Sequence, residues 1–357
     1  MQLFPASHPE TSPATPLIGL AKKAAESPSL VRKHQVEYFG LRAQTILNRC
    51  ASERVPFTWT INPYRGCEFG CKYCYARYTH EYLGLEDSAA FEEKIYSKEH
   101  AGEILLRELR KNPQGAIAIG TATDPYQPAE RLFRTTRSIL ETLQAFRGLQ
   151  LSITTKSDLI RRDLDVLRAI AKVNDLQVNI SVTTLCPELA RCLEVRAPRP
   201  DLRLAAAAEL AQAGISVAIF AMPVLPAITD APRDLEGVAR AAARAGACYF
   251  AMNALFLMPS AQRAFFPFLE QAFPHLVEKY HRLYARGAYA RGTYAKRLQE
   301  LAERLRAKYH LNGPRRGYSS EGACPDPAEK FAPVAQLRLF ETASSQNAAV
   351  RMPRIEG

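Results

Sequence analysis

Six short apolar runs, often β-branched, recur along the chain at 57–62, 116–121, 149–154, 177–182, 215–221 and 249–254, and they read as strands. Between them lie helical patterns at 97–111, with Ala101, Ile104, Leu105 and Leu109 on one face, and at 135–146, 163–172, 201–213 and 230–245. Gly214 and Gly246 close the last two. Parallel strands need crossover connections, and right-handed repeats of that unit curl toward a barrel, so the expected fold is α/β, a partial (β/α)6 TIM-like barrel. A chain of 357 residues, 47% apolar, can bury a core of that size.

The expected organisation is an N-terminal arm over 1–50, a core barrel over 51–260, a basic helical extension over 261–320 and a flexible tail over 321–357. Pro5, Pro9, Pro13, Pro16 and Pro28 among Ser, Thr and Ala make the arm irregular up to an expected helix near 36–47. The most apolar stretch, 215–228, is interrupted by Pro223 and Pro226 and is too short to span a bilayer. No secretory or membrane segment is visible, so the expected location is cytoplasmic, where thiols stay reduced.

Directly after the first expected strand stand Cys67, Cys71 and Cys74, spaced Cys-x3-Cys-x2-Cys within Asn-Pro-Tyr-Arg-Gly-Cys-Glu-Phe-Gly-Cys-Lys-Tyr-Cys-Tyr. Three thiolates can hold three corners of an iron-sulfur cube and leave the fourth iron open to a small molecule. The competing reading is a structural zinc site, because Cys-x2-Cys is also half of a zinc ribbon. A ribbon needs a second such pair, which Cys50, Cys186, Cys192, Cys248 and Cys324 do not form, and His80 is the nearest imidazole. Eight unevenly placed cysteines do not read as a secreted disulfide scaffold either.

Barrel sites gather at the carboxyl ends of strands. There the sequence places Thr121, Thr123 and Asp124 after the second strand, Lys156 after the third and Ser181 after the fourth. Taken singly, such residues cap helices, start turns or sit solvated at the surface. Their shared position at one end of consecutive strands favours a site: hydroxyls and a carboxylate for an ammonium, a lysine for a carboxylate, Ser181 for a ribose hydroxyl.

The cysteine spacing, with aromatic Tyr73 before the last cysteine, resembles the signature of the radical S-adenosylmethionine (SAM) superfamily. The resemblance implies a [4Fe-4S] cluster on Cys67, Cys71 and Cys74, S-adenosylmethionine chelated by the open iron, an external electron donor, and reductive cleavage to a 5'-deoxyadenosyl radical. Asn-Pro-Tyr-Arg-Gly-Cys, Gly-Thr-Ala-Thr-Asp-Pro-Tyr-Gln-Pro-Ala-Glu, Thr-Thr-Lys-Ser, and Pro-Val-Leu-Pro with Thr229-Asp230 look more narrowly like the spore photoproduct lyase-related branch, which implies a lyase-like DNA-repair activity. Positions matching Tyr73, Thr123, Lys156 and Ser181 contact the cofactor in those lyases. Their hydrogen-donating cysteine is replaced here by Thr121, a far poorer donor, which leaves Tyr64, Tyr73, Tyr75 or Tyr126 as replacement candidates.

Lys plus Arg exceed Asp plus Glu by 11, and residues 261–320 hold twelve Lys or Arg against four Glu. Tyr280, Tyr284, Tyr289, Tyr294, Tyr309 and Tyr318 are interleaved there, a mixture suited to phosphates and stacked bases, although amphipathic helices with a solvated basic face give the same pattern. A DNA or RNA substrate is expected through this region. In the tail, Gln336, Leu337, Arg338, Leu339 and Phe340 resemble the peptide that binds the bacterial sliding clamp, with Leu339 and Phe340 as apolar anchors. The alternatives are an RNA- or peptide-modifying member of the same superfamily and a non-enzymatic, zinc-stabilised scaffold docked to the clamp.

Overall fold

The computed structural model describes residues 17–314, apart from 34, 51, 53–54, 86 and 291–292. Cys324 and the clamp-like peptide at 336–340 lie outside the described residues. Among them the strands are β1 (Ser29–Lys33), β2 (Val36–Leu41), β3 (Leu47–Arg49), β4 (Trp59–Ile61), β5 (Tyr64–Arg65), β6 (Lys94–Lys98), β7 (Ile117–Ile119), β8 (Gln150–Thr155), β9 (Asp175–Ser181), β10 (Ser216–Val224) and β11 (Tyr249–Ala254).

A seven-stranded sheet runs in the order β11-β10-β9-β8-β7-β4-β3. Its first six strands pair in parallel, and β3 joins β4 antiparallel. The sheet ends at β3 and β11 without closing, so the partial barrel expected from the alternation is what forms. Strand side chains alternate between two faces. Leu151, Ile153, Leu176, Val178, Ile180, Val217 and Ile219 pack outward into the core beneath the crossover helices. Burying each such side chain contributes about 1.5–3 kcal/mol. The alternate positions on β8 and β9 are polar and buried, Ser152, Gln177, Asn179 and Ser181; among these, Gln177 Nε2 donates to Asn179 Oδ1 at 2.7 Å, and Asn179 Nδ2 donates to Thr154 Oγ1 at 3.2 Å.

A second sheet, β1-β2-β6-β5, lies beside the first. The helix expected near 36–47 is replaced here by β2 and β3. Val36 and Tyr38 are buried and Glu37 and Phe39 half-buried, the period of a strand, and β2 finds a parallel partner in β6. The helix expected from residue 97 accordingly starts later, at Ala101–Leu109, because Ser97 and Lys98 complete β6.

The extension forms three helices, Pro259–Ala272, Val277–Tyr284 and Tyr294–Tyr309. Leu298, Ala302 and Leu305 of the last one join the barrel core. The stacking role expected for its tyrosines is corrected at Tyr280 and Tyr284, and the hydroxyls of Tyr294 and Tyr309 are tied to carboxylates. Tyr280 and Tyr284 are buried, donating to the carbonyls of Pro226 and Leu255 at 2.9 Å each. Tyr294 donates to Asp230 at 3.1 Å and Tyr309 to Glu236 at 2.7 Å. Tyr289 keeps its ring 56% exposed, while Arg282, Arg286, Lys296 and Arg297 lie on the solvated face and Tyr318 falls outside the described residues. No helix among the described residues is long and apolar enough to cross a membrane.

Candidate active site

The cysteine loop follows β4 and the short β5, and it is fastened to the segments after β7 and β9 and to β2. Gln127, after β7, donates from Nε2 to the Gly66 carbonyl at 2.9 Å and accepts the Glu68 N–H at 3.1 Å. After β9, the carbonyl of Leu193 accepts the Lys72 N–H, and the N–H of Arg196 donates to the Phe69 carbonyl, both at 2.9 Å. Glu68 takes the Tyr38 hydroxyl of β2 at 2.9 Å and the Ala129 N–H at 2.7 Å. Buried Arg77 ties the loop from below, donating to the Cys71 carbonyl at 3.0 Å and pairing with Glu92. Gly66 turns the chain at φ +79°, where a Cβ would stand 2.7 Å from the Lys94 carbonyl, so only glycine fits.

These braces gather the three thiols. Burial pushes Cys67, Cys71 and Cys74 up, and Cys71 and Cys74 raise Cys67 further by like-charge repulsion. Lys156 pulls Cys71 and Cys74 the other way. Three desolvated, mutually repelling thiols make a soft donor set whose charge a metal centre offsets, and the set fits an iron-sulfur cube with one iron unclaimed by this loop. A single zinc ion fits worse. The nearest imidazole, His80, is not turned toward the thiols: its ring faces the Lys94 carbonyl, Nε2 at 3.0 Å, and packs edge-on against Phe91.

Around the cysteines stand two groups of the expected cofactor residues. Lys156 Nζ lies 5.7 Å over the Tyr73 ring and 3.4 Å from Glu194 Oε1. Tyr73 donates to Glu194, which also accepts Thr183 Oγ1 at 2.9 Å and pairs with buried Arg203 at 2.5 Å. Burial alone would raise the Glu194 carboxyl, but Arg203 and Lys156 outweigh it and hold the group at about 2. Ser181 joins this group through its carbonyl, which accepts Arg203 Nη1 at 3.1 Å.

The second group knits loops together. Asp124 accepts Thr155 Oγ1 at 2.6 Å, the Lys156 N–H at 2.7 Å and the Tyr126 N–H at 2.9 Å. Thr123 Oγ1 donates to the Tyr64 carbonyl at 3.2 Å, and Asn62 donates to Thr121 Oγ1 at 3.2 Å while accepting the Ala122 N–H at 2.8 Å. Of the tyrosines, Tyr64 is fully buried with its hydroxyl 2.5 Å from Glu130, and Tyr126 is 1% exposed. Tyr75, next to Cys74, is 40% exposed and donates to the Thr121 carbonyl. Its ring faces Phe256 at 6.1 Å, and Phe256 meets Tyr289 at 4.6 Å.

Sequence reasoning passed over Glu194, Arg203, Arg77, Gln127 and Asn62. Only Asn62 and Gln127 stood inside stretches already singled out, where an amide among glycines and prolines was the available signal.

A family model described as the radical SAM superfamily matches residues 61–239, half of the chain, and spans the cysteine loop and the strand ends just described. The chain belongs to the radical SAM superfamily. As a radical SAM enzyme it uses a [4Fe-4S] cluster and S-adenosylmethionine. An uncharacterized protein of Mycobacterium tuberculosis is 36% identical over 320 residues, covering 87% of this chain and 92% of that protein. One of Methanocaldococcus jannaschii is 29% identical over 220 residues, covering 62% and 78%. Spore photoproduct lyase complexed with dinucleoside spore photoproduct superposes with a TM-score of 0.57 at 18% identity, covering 76% of this chain and 79% of the lyase, a likeness of fold. A substituted form of that lyase with bound AdoMet superposes at 0.58.

Proposed function

We propose that Cys67, Cys71 and Cys74 hold the cluster, that Tyr73, Lys156, Asp124, Thr121, Thr123 and Ser181 surround S-adenosylmethionine, and that the substrate is a nucleic acid, most simply damaged DNA. The observation that carries the substrate reading is the row of rings Tyr75, Phe256 and Tyr289, leading from the residue after Cys74 to solvent. Aromatic faces of that kind stack bases, and the exposed Arg282, Arg286, Lys296 and Arg297 suit the phosphates. The lyase with a dinucleoside photoproduct lends an analogy of fold.

Held by Cys67, Cys71 and Cys74, the cluster with S-adenosylmethionine would supply one-electron, radical chemistry at the mouth of the barrel. Lys156, 3.4 Å from Glu194, would supply the positive charge that balances the cofactor's carboxylate. Asp124 sets the loop that faces it. Tyr75, the exposed tyrosine beside the cysteines, is the hydrogen donor this chain offers in place of the lyases' thiol, and Tyr64 and Tyr126 are too buried for that role.

Anaerobic purification is expected to give a brown protein that forms 5'-deoxyadenosine on reduction. Tyr289→Ala should weaken binding of a DNA oligonucleotide by about 1–3 kcal/mol, the worth of one stacked base, without altering substrate-free cofactor cleavage. Unchanged binding in Tyr289→Ala combined with Phe256→Ala would refute the DNA reading. Deuterium appearing in 5'-deoxyadenosine from labelled RNA or peptide, and none from labelled DNA, would transfer the activity to those substrates.

A further inference from the structure

The sheet beside the barrel carries two cations that lack a counter-charge. Arg65 of β5 stands opposite Tyr96 of β6, and Lys98 lies two positions beyond Tyr96, so all three side chains leave the same face of that sheet. The Lys98 N–H donates to the Pro63 carbonyl at 3.1 Å, which ties this end of the sheet to the segment just after β4, where the chain enters the cysteine loop. Lys98 is 7% exposed, and Arg65 is half-buried, its Nε sealed from water and given no acceptor.

Among the described residues no carboxylate acts on Arg65, where the Tyr78 phenol is the titratable neighbour, and one, Glu108, acts on Lys98. Glu108 already accepts the N–H groups of Ile46 and Leu47 at 3.1 and 2.9 Å and takes no hydrogen bond from Lys98. Burial and then the Arg65 charge push the Lys98 ammonium down to about 7, with Glu108 acting the other way. A buried ammonium beside a guanidinium is costly until an anion joins them.

Rings stand beside the pair. Tyr78, three positions after Tyr75, interacts with the Tyr75 phenol as well as with Arg65, and it meets Tyr82 edge-on at 6.0 Å. Tyr82 is 62% exposed. The row formed by Tyr289, Phe256 and Tyr75 thus continues to Tyr78 and Tyr82, with Arg65 next to it.

We propose that Arg65 and Lys98, with the Tyr78 hydroxyl, form a subsite for one phosphodiester of a nucleic-acid strand lying along this row of rings. The inference deepens the nucleic-acid reading above and rests on it. A guanidinium fork and an ammonium suit the two non-bridging oxygens of a diester. Ring faces on both sides of the pair favour a strand, with bases to stack, over a free phosphate ion. A nucleoside without a phosphate is accordingly a poorer ligand than a strand.

The test is a backbone scan. Single-stranded DNA oligonucleotides in which one linkage at a time is an uncharged methylphosphonate are titrated against the full-length protein at low salt. In wild type one linkage should stand out, its neutralisation weakening binding about tenfold. In the Arg65→Met, Lys98→Met double variant the unmodified strand should bind about tenfold more weakly, and that linkage should no longer matter, the coupling that a thermodynamic cycle isolates. Lys98→Met alone should leave the urea midpoint unchanged or raised, because it removes a buried charge without a partner. A lower midpoint would make Lys98 a prop of the fold and overturn the subsite.

Equal losses at every linkage, or a special linkage that persists in the double variant, would overturn the subsite and leave the nucleic-acid reading standing. Inorganic phosphate competing as strongly as the oligonucleotide at equal concentration would give the pair to a free ion instead. A wild type that binds no oligonucleotide would strike the nucleic-acid reading itself, and the subsite with it.

Discussion

Glu194 and its neighbours show how few charges govern this site. The carboxylate is buried between Arg203, 1% exposed, and Lys156, and removing one partner of such a set strands the others without water. Glu194→Gln is expected to destabilise the fold by about 3–5 kcal/mol, read as a lower urea midpoint of the cluster-free protein. A loss under about 1 kcal/mol would mean that water reaches the pair and that surface-pair energetics apply. Lys156 was legible in the sequence because strand ends are functional places in this fold. Glu194 was not, since nothing local distinguishes a glutamate meeting its partners across the fold from one facing solvent.

At the scale of elements, the turn after β7 carries the most constraint. Gly120 has φ +85°, and a Cβ there would stand 2.5 Å from the Thr154 carbonyl and 2.6 Å from Pro125 Cδ. Gly120→Ala should therefore cost at least about 2 kcal/mol and shift the loop bearing Thr121, Thr123 and Asp124. The checks are the denaturation midpoint and the affinity for S-adenosylmethionine, both expected to fall. The six barrel strands were readable because short β-branched runs between helical patterns leave little choice. Residues 36–47 were misread because a mixed apolar run of that length suits either helix or strand until a partner is known. The partner, β6, lies more than fifty positions later, and its last two residues, Ser97 and Lys98, were themselves taken as the start of a helix.

For the whole molecule, acid stability depends in part on His80. Burial holds its imidazole down to about 4 from the ordinary 6.5. Between those values the unfolded chain binds more protons than the folded one, so stability rises with pH across that window and is fully present above 6.5. Acidification from 6.5 to 4 should cost about 3 kcal/mol, and His80→Leu should flatten that part of the profile in pH-dependent urea melts. An equally steep profile in the variant would move the effect to the carboxylates. The basic extension was visible as charge, but its tyrosines were not separable into buried and exposed, because burial is set by the barrel they pack on. One further consequence follows from the fastening of the cysteine loop to segments 121 and 128 positions downstream, through Tyr73 with Glu194 and Glu68 with Arg196. While a ribosome is still making this polypeptide, the seat for the inorganic cargo lacks these braces until Arg196 has been added, so iron delivery waits for that downstream segment.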